Sequence, residues 1–106
     1  MAKYIFAYHG VGSMAKASAE EVKQVMDAWG AWFGSMGKSV VDGGNPCGPS
    51  STVRPDGSLA SGGGPNPLSG YSLVEAASLE DAHRMAKGCP ILKAGGSIEI
   101  AQCMDM

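Results

Sequence analysis

The first segment of the chain is apolar on both sides of its alternation. From Lys3 to His9, Tyr4, Phe6 and Tyr8 point one way while Ile5, Ala7 and His9 point the other, in a run of strand-forming residues. A strand with one face in water would place polar residues on that face. This strand is therefore expected to be covered on both sides. The period then changes. Ser18-Ala19-Glu20-Glu21 reads as a capping box. After it, Val22, Val25, Met26, Trp29, Trp32, Phe33 and Met36 fall within one arc of roughly 120° at helical spacing, the pattern of one buried stripe. The spacing predicts a helix over Ser18–Met36, closed by Gly37 in a left-handed cap. Gly30 and Gly34 lie inside it, each costing about 1 kcal/mol against alanine. Close packing against another backbone is one reason to keep them.

A second strand is expected over Lys38–Asp42, followed by the turn-rich stretch Gly43–Pro49. Thr52–Arg54 and Ser58–Ala60 read as a short hairpin, because Arg54-Pro55-Asp56-Gly57 places Pro and Gly where a type I turn prefers them. Ser61–Ser69 is a second Gly/Pro loop, and Tyr71–Ala76 a strand. Ser78 caps a second helix over Leu79–Lys87, with Leu79, Ala82 and Ala86 inward and a Glu80–Arg84 pair at i,i+4. Gly88 and Pro90 end it. In the last strand, Ser97–Met104, Ile98 and Ile100 share one face and Glu99 takes the other. The order β-α-β, hairpin, β-α-β predicts one α+β domain over residues 1–106, with the hairpin inserted at about 50–61. Its sheet should be the antiparallel, split β-α-β, ferredoxin-like one, both helices on one face and the first strand central. The uncovered apolar face then calls for a second copy of the sheet, and so for a homodimer.

Composition narrows the partners. Apolar residues make up 44% of the 106, enough for one core. A formal net charge of -2 without a run of Lys or Arg argues against nucleic acid. No apolar stretch approaches the roughly 20 residues of a membrane helix. The segment Met1–His9 is too short and too aromatic for a signal-peptide core, so a cytoplasmic location is expected. Cys47, Cys89 and Cys103 are odd in number and widely spaced, which suits small hydrophobes better than disulfides or a zinc site. The two histidines lack metal-ligand spacing, and neither metal nor cofactor is expected. Gly62-Gly63-Gly64 precedes neither Lys-Ser/Thr nor a helix start, so it does not read as a phosphate cradle.

The candidate chemistry gathers at one end of the expected sheet, beneath the Gly43–Pro49 and Ser61–Ser69 loops. His9 ends the first strand, Asp42 the outer strand, and Glu99 lies near the start of the last. A histidine oriented by a carboxylate can act as a general base near neutral pH. His9, Asp42 and Glu99 are therefore the candidate catalytic residues, with Tyr71, Asn45 and Ser97 as candidate ligand contacts. Equally, His9 can be a strand-end histidine bonded to a loop backbone. Glu99, flanked by isoleucines, needs a partner, and Lys3 across the sheet is one choice. Trp29 and Trp32 read as core. Three functions fit this pattern: a small-molecule enzyme of lyase or isomerase type, a non-catalytic ligand-binding or regulatory module, and a purely structural dimer.

Several segments together resemble the YCII-related (DGPF-domain) family: Trp29-Gly30-Ala31-Trp32-Phe33, Asp42-Gly43-Gly44-Asn45-Pro46, Gly70 to Ala76 with Ser78 to Ala82, and Gly88-Cys89-Pro90 followed by Gly96 to Ile100. The resemblance implies a dimeric α+β barrel of two ferredoxin-like sheets packed face to face. It also implies a His/Asp pair at the sheet as an acid/base site in one branch, and a link to transcription through alternative sigma factors in others. At two places the chain departs from the family pattern. It reads Gly63-Gly64-Pro65-Asn66 where many relatives read Asp-Gly-Pro-Phe with a following Glu/Lys cluster, and Ile91 where many carry a histidine after Cys-Pro.

Overall fold

The computed structural model describes residues 1–10, 18–64 and 66–105. Pro65, in the second glycine loop, lies outside the described residues. The elements run β1 (Ala2–His9), α1 (Ala19–Met36), β2 (Val40–Asp42), β3 (Ser51–Val53), β4 (Leu59–Ser61), β5 (Leu68–Ala76), α2 (Leu79–Ala86) and β6 (Ser97–Gln102). Four strands form one sheet in the order β2-β5-β1-β6. Every pairing is antiparallel, with β1 between β5 and β6 as expected. The hairpin β3-β4 is a separate two-stranded unit, and Gly57 N–H donates to the Arg54 carbonyl across its turn at 2.8 Å.

Both helices cover the same face. Tyr4, Phe6 and Tyr8 of β1 and Ser72, Val74 and Ala76 of β5 are buried there, and so are Trp32 of α1 and Ala82 and Ala86 of α2. Phe6 stacks on Trp32 with ring centroids 6.2 Å apart, and the Trp32 indole N–H donates to the Met85 carbonyl at 2.9 Å, tying α1 to α2. Ser18 caps α1 by accepting from Glu21 N–H at 3.1 Å, and Ser78 caps α2 by accepting from Asp81 N–H at 3.2 Å.

Several expectations need correction. A 3-10 turn over Gly37–Ser39 replaces the start of the second strand, because Gly37 has φ +53 and turns the chain before it can extend. The stripe of α1 is buried only in its second half. Trp32 is 5% exposed, whereas Val22, Val25 and Met26 are 36%, 38% and 64% exposed. The helix is longer than the surface beneath it. An added Cβ at Gly30 or Gly34 would meet nothing within 4 Å, so close packing does not explain those glycines. On α2, Arg84 pairs with Asp81 at i,i+3 and 2.6 Å rather than with Glu80, an equally near neighbour on the helix surface. β5 begins at Leu68, earlier than expected, and β6 ends at Gln102.

Candidate functional site

His9 and Glu99 do come together. In register Glu99 faces Ala7 and His9 faces Ser97, so the two are diagonal neighbours on adjacent strands, within reach of long side chains. His9 Nε2 lies 3.0 Å from Glu99 Oε1, and His9 Nδ1 lies 2.9 Å from the Asn66 carbonyl. Lys3 is not the partner of Glu99; its register position faces Glu75 at the other end of β1. Nor is Glu99 a buried carboxylate, since its side chain is 72% exposed against 12% for His9. Both neighbours of the imidazole are hydrogen-bond acceptors. A neutral ring carries one N–H and donates to one of them at a time; the imidazolium donates to both. In either form both ring nitrogens are turned toward the protein's own groups.

Asp42 is not part of this pair. It faces Leu73 on β5, and β5 separates it from β1. Its carboxylate accepts Gly44 N–H at 2.8 Å, the short-range turn that Asp side chains favour. That turn seats the loop after β2 on β5. Tyr71 N–H donates to the Asn45 carbonyl at 3.3 Å, Cys47 N–H to the Ser69 carbonyl at 3.0 Å, and Pro46 bridges Gly70. Gly44 has φ +73, and a Cβ there would stand 1.7 Å from the Tyr71 carbonyl oxygen. No other residue lets the two backbones approach so closely. Asn45 also donates from its carboxamide to the Tyr71 hydroxyl at 3.4 Å.

The seated loop closes one side of a pocket of about 320 Å3 on the helix-covered side of the sheet. Val25, Met26, Trp29 and Phe33 of α1 form one wall. Tyr8, Ile91 and the stretch Ser69–Tyr71 supply the floor and far side, and Gly43–Pro46 the rim. Tyr8 meets Trp29 edge to face, with centroids 5.0 Å apart. The Tyr8 hydroxyl donates to Ser72 Oγ at 2.7 Å, and Ser72 in turn donates to the Gly43 carbonyl at 2.7 Å, so the rim is anchored through the floor. Burial pushes the Tyr8 phenol well above its ordinary pKa of 10.0, the hydrogen bond to Ser72 opposing the shift in part.

Of the residues picked from sequence, Asn45 and Tyr71 border this pocket, while His9, Glu99, Ser97 and Asp42 do not. Ser97 is exposed opposite His9 on β6. Trp29 is half-buried: it packs on the core against Tyr8 and Trp32 and also forms a wall of the pocket. The residues missed are Val25, Met26, Trp29 and Phe33. A signal for them existed in the mismatch between a seven-residue apolar stripe on α1 and a much shorter second helix. A second hollow, about 350 Å3, lies between the end of α1 and α2, but its Arg84 is held by Asp81 and its Ser35 hydroxyl by the Trp32 carbonyl. Among the described residues no cluster of side chains is arranged to hold a metal ion, and no helix is long and apolar enough to cross a membrane. A scan against known protein families finds no match for this chain, and a search of curated proteins finds none either.

Proposed function

We propose that this protein is a non-catalytic, small-molecule-binding module of the ferredoxin-like, split β-α-β kind, which works as a homodimer through the uncovered face of its sheet. One observation carries the binding reading. The chain has an apolar pocket of ligand size, and the acid/base pair is not in it. An enzyme with His9 as general base would need one of the ring nitrogens directed at its substrate. The two nitrogens of His9 instead face Asn66 and Glu99. The strand order β2-β5-β1-β6 supports the ferredoxin-like reading; the YCII-related likeness rests on the sequence segments alone. The half-buried Ile5, Ala7, Tyr71 and Leu73 on the face away from the helices support the second copy.

The test is a screen of small neutral and charged fragments by amide chemical-shift mapping. The expected result is a set of ligands that shift Trp29, Phe33, Ile91 and Gly70 and leave His9 and Glu99 in place. Shifts concentrated at His9, Glu99 and Ser97, with turnover lost in His9→Ala, would return the protein to the enzymes. That outcome would make the His9–Glu99 pair a working site after all.

A further inference from the structure

The lining of the pocket restricts what it accepts. Among its described residues there is no Asp, Glu, Lys, Arg or His. Several of its polar atoms are already engaged: the Tyr8 hydroxyl with Ser72, the Gly43 carbonyl with Ser72, and the Asn45 carbonyl with Tyr71 N–H. An ion placed there would lose its hydration without a counter-charge in return. Most of the surface that remains is aromatic ring and aliphatic carbon. Trp29 stands against Tyr8 edge to face at 5.0 Å and against Phe33 at 6.0 Å, an aromatic cluster with further ring edge and face to offer. At roughly 30 Å3 for each water-sized volume, a cavity of about 320 Å3 holds on the order of ten such volumes. The lip is apolar as well, with Val25 and Met26 exposed by 38% and 64% on the outer turn of α1. An apolar guest would cover surface of Val25 and Met26 that is exposed among the described residues.

We infer that the pocket between α1, the start of β5 and the Gly43–Pro46 rim binds an uncharged, flat aromatic molecule of about two fused rings. This inference rests on the small-molecule-binding reading above and names the class of ligand for that site. The ring system lies against Trp29 and Phe33, and a single neutral polar substituent is tolerated toward the Asn45 rim. Carboxylates, phosphates and ammonium compounds of the same shape are rejected, because nothing in the lining compensates their charge.

Three probes with one ring system and different charge separate the possibilities: 2-naphthol, 2-naphthoate and 2-naphthylmethylammonium at pH 7. Isothermal titration gives the affinities, and the Trp29 indole N–H resonance reports whether the pocket is the site. The expected result is that 2-naphthol shifts Trp29 and binds at least tenfold more tightly than either ion. Met26→Glu places a carboxylate on the exposed lip without touching the core. It should weaken 2-naphthol several-fold and bring the ammonium compound closer to it. Val53→Glu, equally exposed on the distant hairpin, should change neither. If either ion shifts Trp29 and binds as tightly as 2-naphthol, the ligand class is overturned while the binding reading stands. If none of the three shifts Trp29 at millimolar concentration, both fall.

Discussion

Ser72 is fully buried and holds two groups at once, and this makes it the most exacting polar residue of the core. Its oxygen accepts from Tyr8 and its proton goes to the Gly43 carbonyl. Ser72→Ala leaves the Tyr8 phenol without a partner in the interior and unties the Gly43 carbonyl at the rim, and a stranded buried group costs about 1–3 kcal/mol. Tyr8→Phe removes the phenol but leaves the bond to Gly43 intact. We therefore expect Ser72→Ala to be the more destabilising of the two in urea unfolding, and adding Tyr8→Phe to it to recover part of the loss. Equal effects from the two single variants would mean the chain of bonds is not cooperative. Cys89 makes a separate test by pH. It is 2% exposed, and burial pushes its thiol from an ordinary 9.0 up to about 11. The folded state holds the proton more tightly than the unfolded chain does. The contribution is thus fully present below pH 9 and is lost as the pH rises through about 11, on the order of 1–2 kcal/mol. Tyr8 is shifted in the same direction and adds to the loss from pH 10 upward. The urea midpoint should fall between pH 9 and 11, and fall less steeply in Cys89→Ala. A wild-type midpoint flat across that range would contradict the assignment.

At the scale of elements, the helices and the hairpin turn were legible because each rests on short-range chemistry, and the strand order because the β-α-β element order restricts the topology. Ser18 and Ser78 cap as their spacing predicts, and Pro55 and Gly57 make the turn they signal. The His9–Glu99 approach was legible too, since it follows from strand order and side-chain parity alone. The pocket was legible only in part: the rim with Asn45 and Tyr71 was, the α1 wall was not. That wall depends on how far α1 outruns α2, 18 residues against 8, a mismatch that signals uncovered apolar turns without saying which ones. Asp42 misled for a related reason: a carboxylate at a strand end bonds as readily to the backbone two residues on as to a distant histidine. The glycines of α1 can be tested directly. Gly30 and Gly34 have helical neighbours, and a Cβ added at either would stand in open space. Alanine at either position should raise stability by about 0.5–1 kcal/mol through lower backbone entropy in the unfolded chain. Thermal unfolding of Gly30→Ala and Gly34→Ala reads this directly. A loss of stability in either would show that another backbone approaches the helix in the assembled protein.

The whole molecule is flat. Its Cα atoms span 44 × 41 × 19 Å, and the short axis is one sheet with one layer of helices. The radius of gyration is 15.0 Å, where a compact chain of this length would have about 13 Å. Part of the excess comes from the β3-β4 hairpin. Both strands are almost wholly exposed, with Val53 and Leu59 facing each other at 67% and 72% exposure, and a two-stranded hairpin alone is marginal in water. The fold itself has only two layers, one sheet and one layer of helices. Ile5 and Leu73 face each other across β1 and β5 on the side without helices, with Ala7 and Tyr71 the next pair along. Lys3, Glu75 and Glu99 flank that apolar strip with charge, so the proposed interface would have a dry centre and a polar rim. A second copy placed there by a twofold axis would cover the strip on both chains at once. Leu73→Glu decides the matter, because the position is half-buried in the single chain and would be central in the dimer. In the dimer, two carboxylates would meet without counter-charge near the axis. Light scattering at micromolar concentration should therefore find the wild-type chain as a dimer and Leu73→Glu as a folded monomer with unchanged far-ultraviolet circular dichroism. A wild-type monomer would remove the dimer and leave the apolar strip to some other partner. A Leu73→Glu dimer as tight as wild type would place the contact elsewhere, and the exposed half of α1 would be the next surface to test.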